Sequence, residues 1–489
     1  MRLKVKFLKL EAGRPVAILH KKFAEKSSIH IDERIFLIKD DKKVAAVVDT
    51  AAGMLKEDEV ILSAEVLKFI NLKEGEFVHV DLASKPESLS YIHKKLSGES
   101  LKKEEIRIII KDIVNNIITE SEIAFFVSAV YKSGMSMQEI FWMIEAIVES
   151  GKKLNLKGKL VDKHSIGGVP GRTTPIVVAI CASTGLLIPK TSSRAITTPA
   201  GTADALEVIC KVDFSIKEME KIIKKTGACL VWGGSLNLAP ADDKLIQVER
   251  LLNIDPESQL LASIMSKKIS VGAKYVLIDI PYGEHAKVNL TKAKNLARKF
   301  KQIARHFNIK LDCDLKETRE PLGGGVGPLL EMIDVIKVLK REDSCHLLER
   351  RSLELAGKLL ELTGKAKKNM GFTKAKEILE SGRALSKFKE IILAQKGKLD
   401  GLERAKFHHT VIADRNYKII EINIKKINEL ARRAGCPLDK AAGLYLHKHL
   451  NERVQKGQAI ITIYAESLSE LKEALSYCYE NKPIVLRNA

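Results

Sequence analysis

What the chain lacks narrows its class first. None of its 489 residues belong to an apolar stretch approaching the roughly 20 needed to cross a bilayer. The longest nearly apolar run, 176–188, holds Ser183, Thr184 and Gly185, lies between Pro175 and Pro189, and reads as a buried helix followed by a strand. At the amino terminus MRLKVKF alternates charged with apolar side chains and has nothing like the apolar segment of a secretion signal, which places the chain in the cytoplasm. Cysteine is sparse: seven residues, at 181, 210, 229, 313, 345, 436 and 478, never spaced Cys-x-x-Cys. Neither a zinc site nor a redox dithiol is spelled out, and the seven read as buried, reduced thiols. Aromatic residues make up only 5% of the chain, so a surface for stacking nucleobases is thinly supplied.

Charge is not lacking. The formal net charge of +20 suits either a polyanion or a small phosphorylated substrate drawn to a cleft. The basic residues are scattered among acids, as in DDKK (40–43) and KKEE (102–105), which argues against a nucleic-acid-binding protein. With 45% hydrophobic residues recurring periodically from end to end, a disordered chain is excluded.

The periodicity divides the chain into α and α/β modules. Residues 1–85 read as a β-rich amino-terminal module, with strands over 34–38, 44–48 and 77–82, a turn at LKEG (72–75), and Ser63 capping a short helix. From 86 to about 155 the period becomes helical: Ile106, Ile109, Ile110, Ile113 and Ile117 share one face, and this domain is expected to be completed by residues near 240–270. A large α/β domain with a mixed sheet is expected over 156–345, where strand-like runs (186–188, 229–231, 275–280, 309–313) alternate with helical ones. Ala293, Leu296, Ala297, Phe300, Ile303 and Ala304 mark the buried face of one such helix. Residues 346–489 read as a helical connection and a smaller α+β lobe with strands near 409–413, 417–422 and 459–464. In an α/β sheet, ligands sit at strand-to-helix turns.

Two such turns carry chemistry. VDKHSIGGVPGRTTP (161–175) leaves a strand, packs in three glycines and starts a helix, with Thr174 expected as N-cap and Pro175 as the first helical residue. Its backbone N–H groups, Lys163 and Ser165 suit an anion as well as they suit a merely structural connection. KTSSRAITTPAGTAD (190–204) repeats the arrangement, with Thr202 expected to cap the following helix. Two hydroxyl-rich turns at adjacent strand ends favour a shared oxyanion site. A third stretch, NIDPESQLLASIMSKK (253–268), places Asp255 before a proline, where an ordinary N-cap would stand, and sets Ser263 and Lys267 four apart on one helix face. Lys287 brings a further cation. A second glycine cluster, PLGGGVGP (321–328), reads as a hinge or a close backbone contact, and the pairs His447/His449 and His408/His409 lack a third ligand, so no metal is expected.

At KHSIGG (163–168), TSSRAIT (191–197) and LASIMSKK (261–268) the chain resembles the type II nucleoside phosphorylases, which include thymidine, pyrimidine-nucleoside and AMP phosphorylases. The resemblance covers about 85–489, and the amino-terminal module is similar to that of the AMP phosphorylase branch. Within the branch, GVPGRTTP (168–175) and FHH (407–409) are similar to bacterial members usually labelled thymidine phosphorylase, whereas archaeal AMP phosphorylases tend to have Asn-Lys where Arg172 and Thr173 stand. The resemblance implies phosphorolysis of an N-glycosidic bond, by label of thymidine to thymine and 2-deoxyribose 1-phosphate, or alternatively of AMP to adenine and ribose 1,5-bisphosphate. By resemblance Gly167, Ser193, Arg194, Ala195, Ile196, Thr197, Thr198, Thr202, Ser263 and Lys287 contact substrate. Lys163, Ser165, Ser192 and Lys267 match positions used for phosphate or base, and Asp255 is the proton donor, with His164 the weaker candidate. Such an acid needs a raised pKa. An arginine that reads the pyrimidine carbonyl in thymidine phosphorylases is replaced here by Val248, with Arg250 nearby. Inorganic phosphate is a co-substrate, no cofactor or metal is implied, and family members are homodimers or larger assemblies. A phosphoribosyltransferase-like use of the first turn is the other enzymatic reading, distinguished by dependence on pyrophosphate.

Overall fold

The structure, a computed structural model, describes residues 1–8, 10–195, 198–342 and 346–488. It divides into two compact units, Met1–Gly151 with Ala239–Ser263, and Lys152–Leu238 with Ile264 to the carboxy terminus.

The first unit begins with a closed six-stranded barrel, in the order Arg2–Phe7, Glu59–Leu62, Val16–His20, Lys42–Ala51, Arg34–Lys39, Phe77–Leu82. Two of its pairings are parallel and the others antiparallel, so mixed pairing occurs here. Closure leaves no free sheet edge. Alternate residues such as Leu3, Val5, Ile35, Leu37, Val78 and Val80 fill the interior. Ser63 stands at the N-cap of Ala64–Phe69, but its hydroxyl makes no capping bond. It accepts from Val16 N (3.1 Å) and donates to Arg14 O (3.1 Å), tying two parts of the barrel together instead.

Four helices follow, Ser88–Leu96, Lys103–Val114, Glu120–Ser133 and Met137–Ser150, and Pro240–Leu252 packs with them. Thr119/Glu122 and Ser136/Glu139 form capping boxes that start the third and fourth. The isoleucine face is buried at 106, 109, 110 and 113. It stops there because Asn116 turns left-handed (φ 54°), which takes Ile117 off the helix.

In the second unit the strands run in the order Lys310–Glu317, Tyr275–Tyr282, Val161–Ser165, Ile188–Ser192, Ala228–Trp232, a Leu160–Leu187 bridge joining the third to the fourth. Every pairing in this sheet is parallel. All five strands therefore point their carboxy-terminal ends, and the turns that follow them, the same way. Helix Thr173–Ala182 is apolar on all sides and fully enclosed, packed against His346–Leu362 and Arg383–Ala394. Helix Leu290–His306 buries the six residues that its sequence period marks. The carboxy-terminal lobe holds an antiparallel sheet, Gly325–Val326, Gly443–Leu446, Ala459–Ala465, Phe407–Ile412, and a second of Arg453–Val454, Tyr417–Ile422, Ile484–Asn488. The edge strand Gly325–Val326 comes from the second glycine cluster, which thus links the lobe to the α/β sheet. No described helix is long and apolar enough to cross a membrane.

Candidate active site

The first turn leaves strand Val161–Ser165 and passes through three glycines with positive φ, Gly167 (85°), Gly168 (92°) and Gly171 (111°). Glycine is required for space as well as for angle. A Cβ on Gly168 would lie 2.9 Å from Cβ of Lys287, and one on Gly171 would lie 2.7 Å from Cβ of Leu322. The turn is therefore pressed between the Lys287 segment and the second glycine cluster, whose Leu322 N donates to Pro170 O (3.0 Å). That cluster is a close backbone contact.

The helix begins at Thr173, with Arg172 in the cap position, two residues before the expected start. The reason is Lys163. Its buried ammonium donates to the hydroxyls of Thr173 (2.9 Å) and Thr174 (3.4 Å) and pairs with Asp279 (3.4 Å). Those hydroxyls are engaged by a side chain below them and cap no N–H. Burial pushes the Lys163 ammonium below its ordinary value, and Asp279 opposes that shift. Asp279 also pairs with the guanidinium of Arg351, which reaches Asp314 as well. Against its own burial, Lys163 and Arg351 hold the Asp279 carboxyl below the usual range. Lys163 thus forms the floor of the turn.

Next to it stands a second buried set: Lys268 donates to Asp162 (2.6 Å) and Lys190 lies 3.6 Å from the same carboxylate. Burial drives the His164 imidazole well below its ordinary pKa, and Lys268, Lys190, Lys163 and Lys267 add to the shift. His164 is neutral at pH 7 and carries no readily donated proton. It is suited to hydrogen bonding and not to acid catalysis.

The second turn leaves strand Ile188–Ser192. Ile196 and Thr197 lie outside the described residues. Gly201, not Thr202, holds the cap position of helix Thr202–Glu207. The acceptor comes from three residues on: Asp204 takes both Gly201 N (2.8 Å) and Ala195 N (2.7 Å), so one carboxylate starts the helix and folds the turn. A Cβ on Gly201 would lie 2.4 Å from the carbonyl carbon of Arg194. Arg194 itself is bound to Glu207 (2.8 and 2.9 Å) and Asp204 (3.1 Å) and lies over the Trp232 ring at 4.7 Å. Its hydrogen bond brings the Glu207 carboxyl down to about 2. Thr198 Oγ1 donates to Ala200 O (2.7 Å).

The two turns adjoin. Arg172 donates to Ala200 O and pairs through Nε with Glu331 (2.7 Å), a side chain with no solvent exposure. Glu331 also accepts from Gly171 N (3.0 Å) and Gly327 N (3.2 Å), so one carboxylate binds the first turn, the second glycine cluster and, through Arg172, the second turn. Sequence reasoning missed Arg172, Glu331, Asp279, Arg351 and Asp204 as site-builders. Asp204 alone had a local signal, its three-residue spacing from Gly201.

Asp334, one helical turn beyond Glu331, accepts from Gly325 N (2.8 Å). Burial pushes its carboxyl up to about 6. The folded chain then holds a proton that the unfolded chain has released near pH 4, so the stability contributed by this carboxyl is fully present below pH 4 and is lost as pH rises to 6. Asp334→Asn keeps an acceptor for Gly325 and removes the buried charge. It should abolish that slope and raise stability at pH 7 by at most about 3 kcal/mol, read from denaturant unfolding between pH 4 and 7.

The second unit therefore gathers both turns, His164, Lys267 and Lys287. Asp255 and Ser263 belong to the first unit; Asp255 is half-buried just before helix Glu257–Ser270, and Ser263 donates to Asp242 (2.9 Å). Among the described residues no three His, Cys, Asp or Glu side chains are grouped to hold a metal. His447 bonds Thr462 and His449 bonds Glu320.

Comparison with known proteins gives the class. Residues 89–151 match the helical bundle domain of a glycosyl transferase family, 157–287 match the a/b domain of a glycosyl transferase family, and 418–485 match a pyrimidine nucleoside phosphorylase C-terminal domain. The AMP phosphorylase of Pyrococcus horikoshii is 44% identical, over 99% of this chain and 97% of its own length. That of Methanococcus vannielii is 40% identical over the same shares. Among solved structures, the anthranilate phosphoribosyltransferase of Thermus thermophilus superposes with a TM-score of 0.52 at 17% identity, over 63% of this chain and 99% of its own, which is a likeness of fold. A helical bundle joined to a parallel sheet with two glycine-bearing turns at its carboxy-terminal edge is the frame of a pentosyltransferase of the phosphorylase kind. The chain belongs to the type II nucleoside phosphorylase family.

Proposed function

We propose that the enzyme phosphorolyses nucleoside 5′-monophosphates, AMP first, to the free base and ribose 1,5-bisphosphate. The observation that carries this reading is likeness along the whole chain, amino-terminal barrel included, to proteins named AMP phosphorylase. Chemistry supports it at Val248, which is apolar, buried and without any group to read a pyrimidine carbonyl. This reading replaces thymidine as the first choice of substrate.

In the proposed reaction an oxygen of inorganic phosphate, held at the first turn, attacks C1′. The C1′–N bond breaks, its electron pair stays on the base, and Asp255 delivers a proton to the base nitrogen. The transition state resembles an oxocarbenium ion, which an anion beneath the sugar stabilises. A 5′-phosphate needs donors of its own. Arg194 is already held by Glu207 and Asp204, so the donors are the hydroxyls and amides of the second turn together with Lys287.

Phosphate-dependent base release should be assayed with AMP, CMP, uridine and thymidine. AMP should be cleaved at least 100-fold more efficiently than thymidine, and cleavage of thymidine without AMP would overturn the reading.

A further inference from the structure

Three segments that the proposed function places against substrate are each tied to the carboxy-terminal lobe, by three different residues. Asn428, on helix Ile424–Arg433, donates its side-chain amide to Gly168 O in the first turn (3.2 Å). Glu421, on strand Tyr417–Ile422, pairs with His285 (3.0 Å), two residues before Lys287. Lys440 pairs with Glu207 (2.9 Å) and Asp204 (3.5 Å), the carboxylates that hold Arg194 and Ala195 N in the second turn.

Asn428 is the most telling of the three. It is buried at 5% exposure, and among the described residues its Oδ1 has no hydrogen-bond partner. A buried amide with one acceptor unmet is less favourable than an apolar side chain of the same size. Stability therefore does not account for an asparagine here, and the bond to Gly168 does. Gly168 is left-handed, at φ 92°, where a glycine peptide has little intrinsic preference for one orientation. Its carbonyl and the N–H of Val169 belong to one planar peptide and point opposite ways. A donor fixed on the carbonyl therefore keeps that oxygen from rotating toward a bound anion and sets the direction in which the next N–H is offered.

We propose that Asn428 is a positioning residue for the phosphate turn, and that through it the carboxy-terminal lobe is a working part of the site. This rests on the reading that the first turn holds inorganic phosphate. The test uses the full chain and reads phosphate affinity by calorimetry, the KM for phosphate, the KM for AMP, and thermal unfolding. Asn428→Leu should bind phosphate about tenfold more weakly and raise the KM for phosphate by a similar factor. The KM for AMP should stay within twofold and the melting temperature should not fall. Should that variant not fold, Asn428→Ala removes the donor without adding a buried charge and is held to the same outcomes for phosphate affinity and both KM values. A folded variant with phosphate affinity within twofold of the parent would overturn the proposal, as would equal rises in both KM values with a lower melting temperature. A parent chain that binds phosphate but cleaves no nucleotide would defeat the proposed function, and calorimetry would still decide the role of Asn428. A parent that binds no phosphate would defeat both.

Discussion

Replacing Asp255 by asparagine should lower the rate of base release by a factor of about 10²–10⁴, the usual contribution of a positioned general acid, while phosphate affinity changes less than twofold. Expulsion of a nucleobase needs a proton at its nitrogen, and the two candidate donors are Asp255 and His164. Burial and four lysines keep His164 neutral, so at pH 7 it has no proton of suitable acidity to give. The substituted amide would retain size and a hydrogen-bonding edge but could donate no acidic proton. The rate should be measured in single turnover, with phosphate binding followed separately. Unchanged turnover would remove Asp255 from the chemistry, and loss of phosphate affinity would show that it organises the site instead.

How much of this was legible before the structure depends on the range of the interaction. The period of helix Leu290–His306 marked its six buried residues, and strands Phe77–Leu82 and Tyr417–Ile422 have the bounds that alternation predicts. Strands Arg2–Phe7, Val16–His20 and Glu59–Leu62 were not read: charged residues alternate through the first, the other two offer apolar runs of only four and three residues, and the partners of all three lie far along the chain. Both glycine- and hydroxyl-bearing turns, proposed to bind anions, stand out in the sequence by composition. What holds them does not. Gly171 meets Glu331 and Gly168 meets Asn428 across 160 and 260 residues, and no local period encodes such pairs. The caps show the same division: Thr174 and Thr202 fit the local pattern for an N-cap, but Lys163 engages one hydroxyl and Asp204 supplies the other helix with its acceptor.

Glu331 is where those long-range contacts converge, and Glu331→Ala should be the most destabilising substitution in the site, by about 3–5 kcal/mol, because it leaves Arg172 largely buried and without its carboxylate. Two backbone donors, Gly171 N and Gly327 N, lose their acceptor in the same step. Function should fall too, since Arg172 is the only described side chain that binds the second turn's Ala200 carbonyl from the first turn. The companion variant Glu331→Gln separates the two effects. A glutamine keeps one acceptor oxygen, enough for one of the two glycine amides, and shape for packing, but not the charge that Arg172 requires. It should recover part of the lost stability while phosphate and AMP affinities stay depressed. Denaturant unfolding and calorimetry on both variants give the comparison. If Glu331→Gln matched the parent in stability and in both affinities, the ion pair would be incidental, and the two turns would owe their register to the glycine contacts alone.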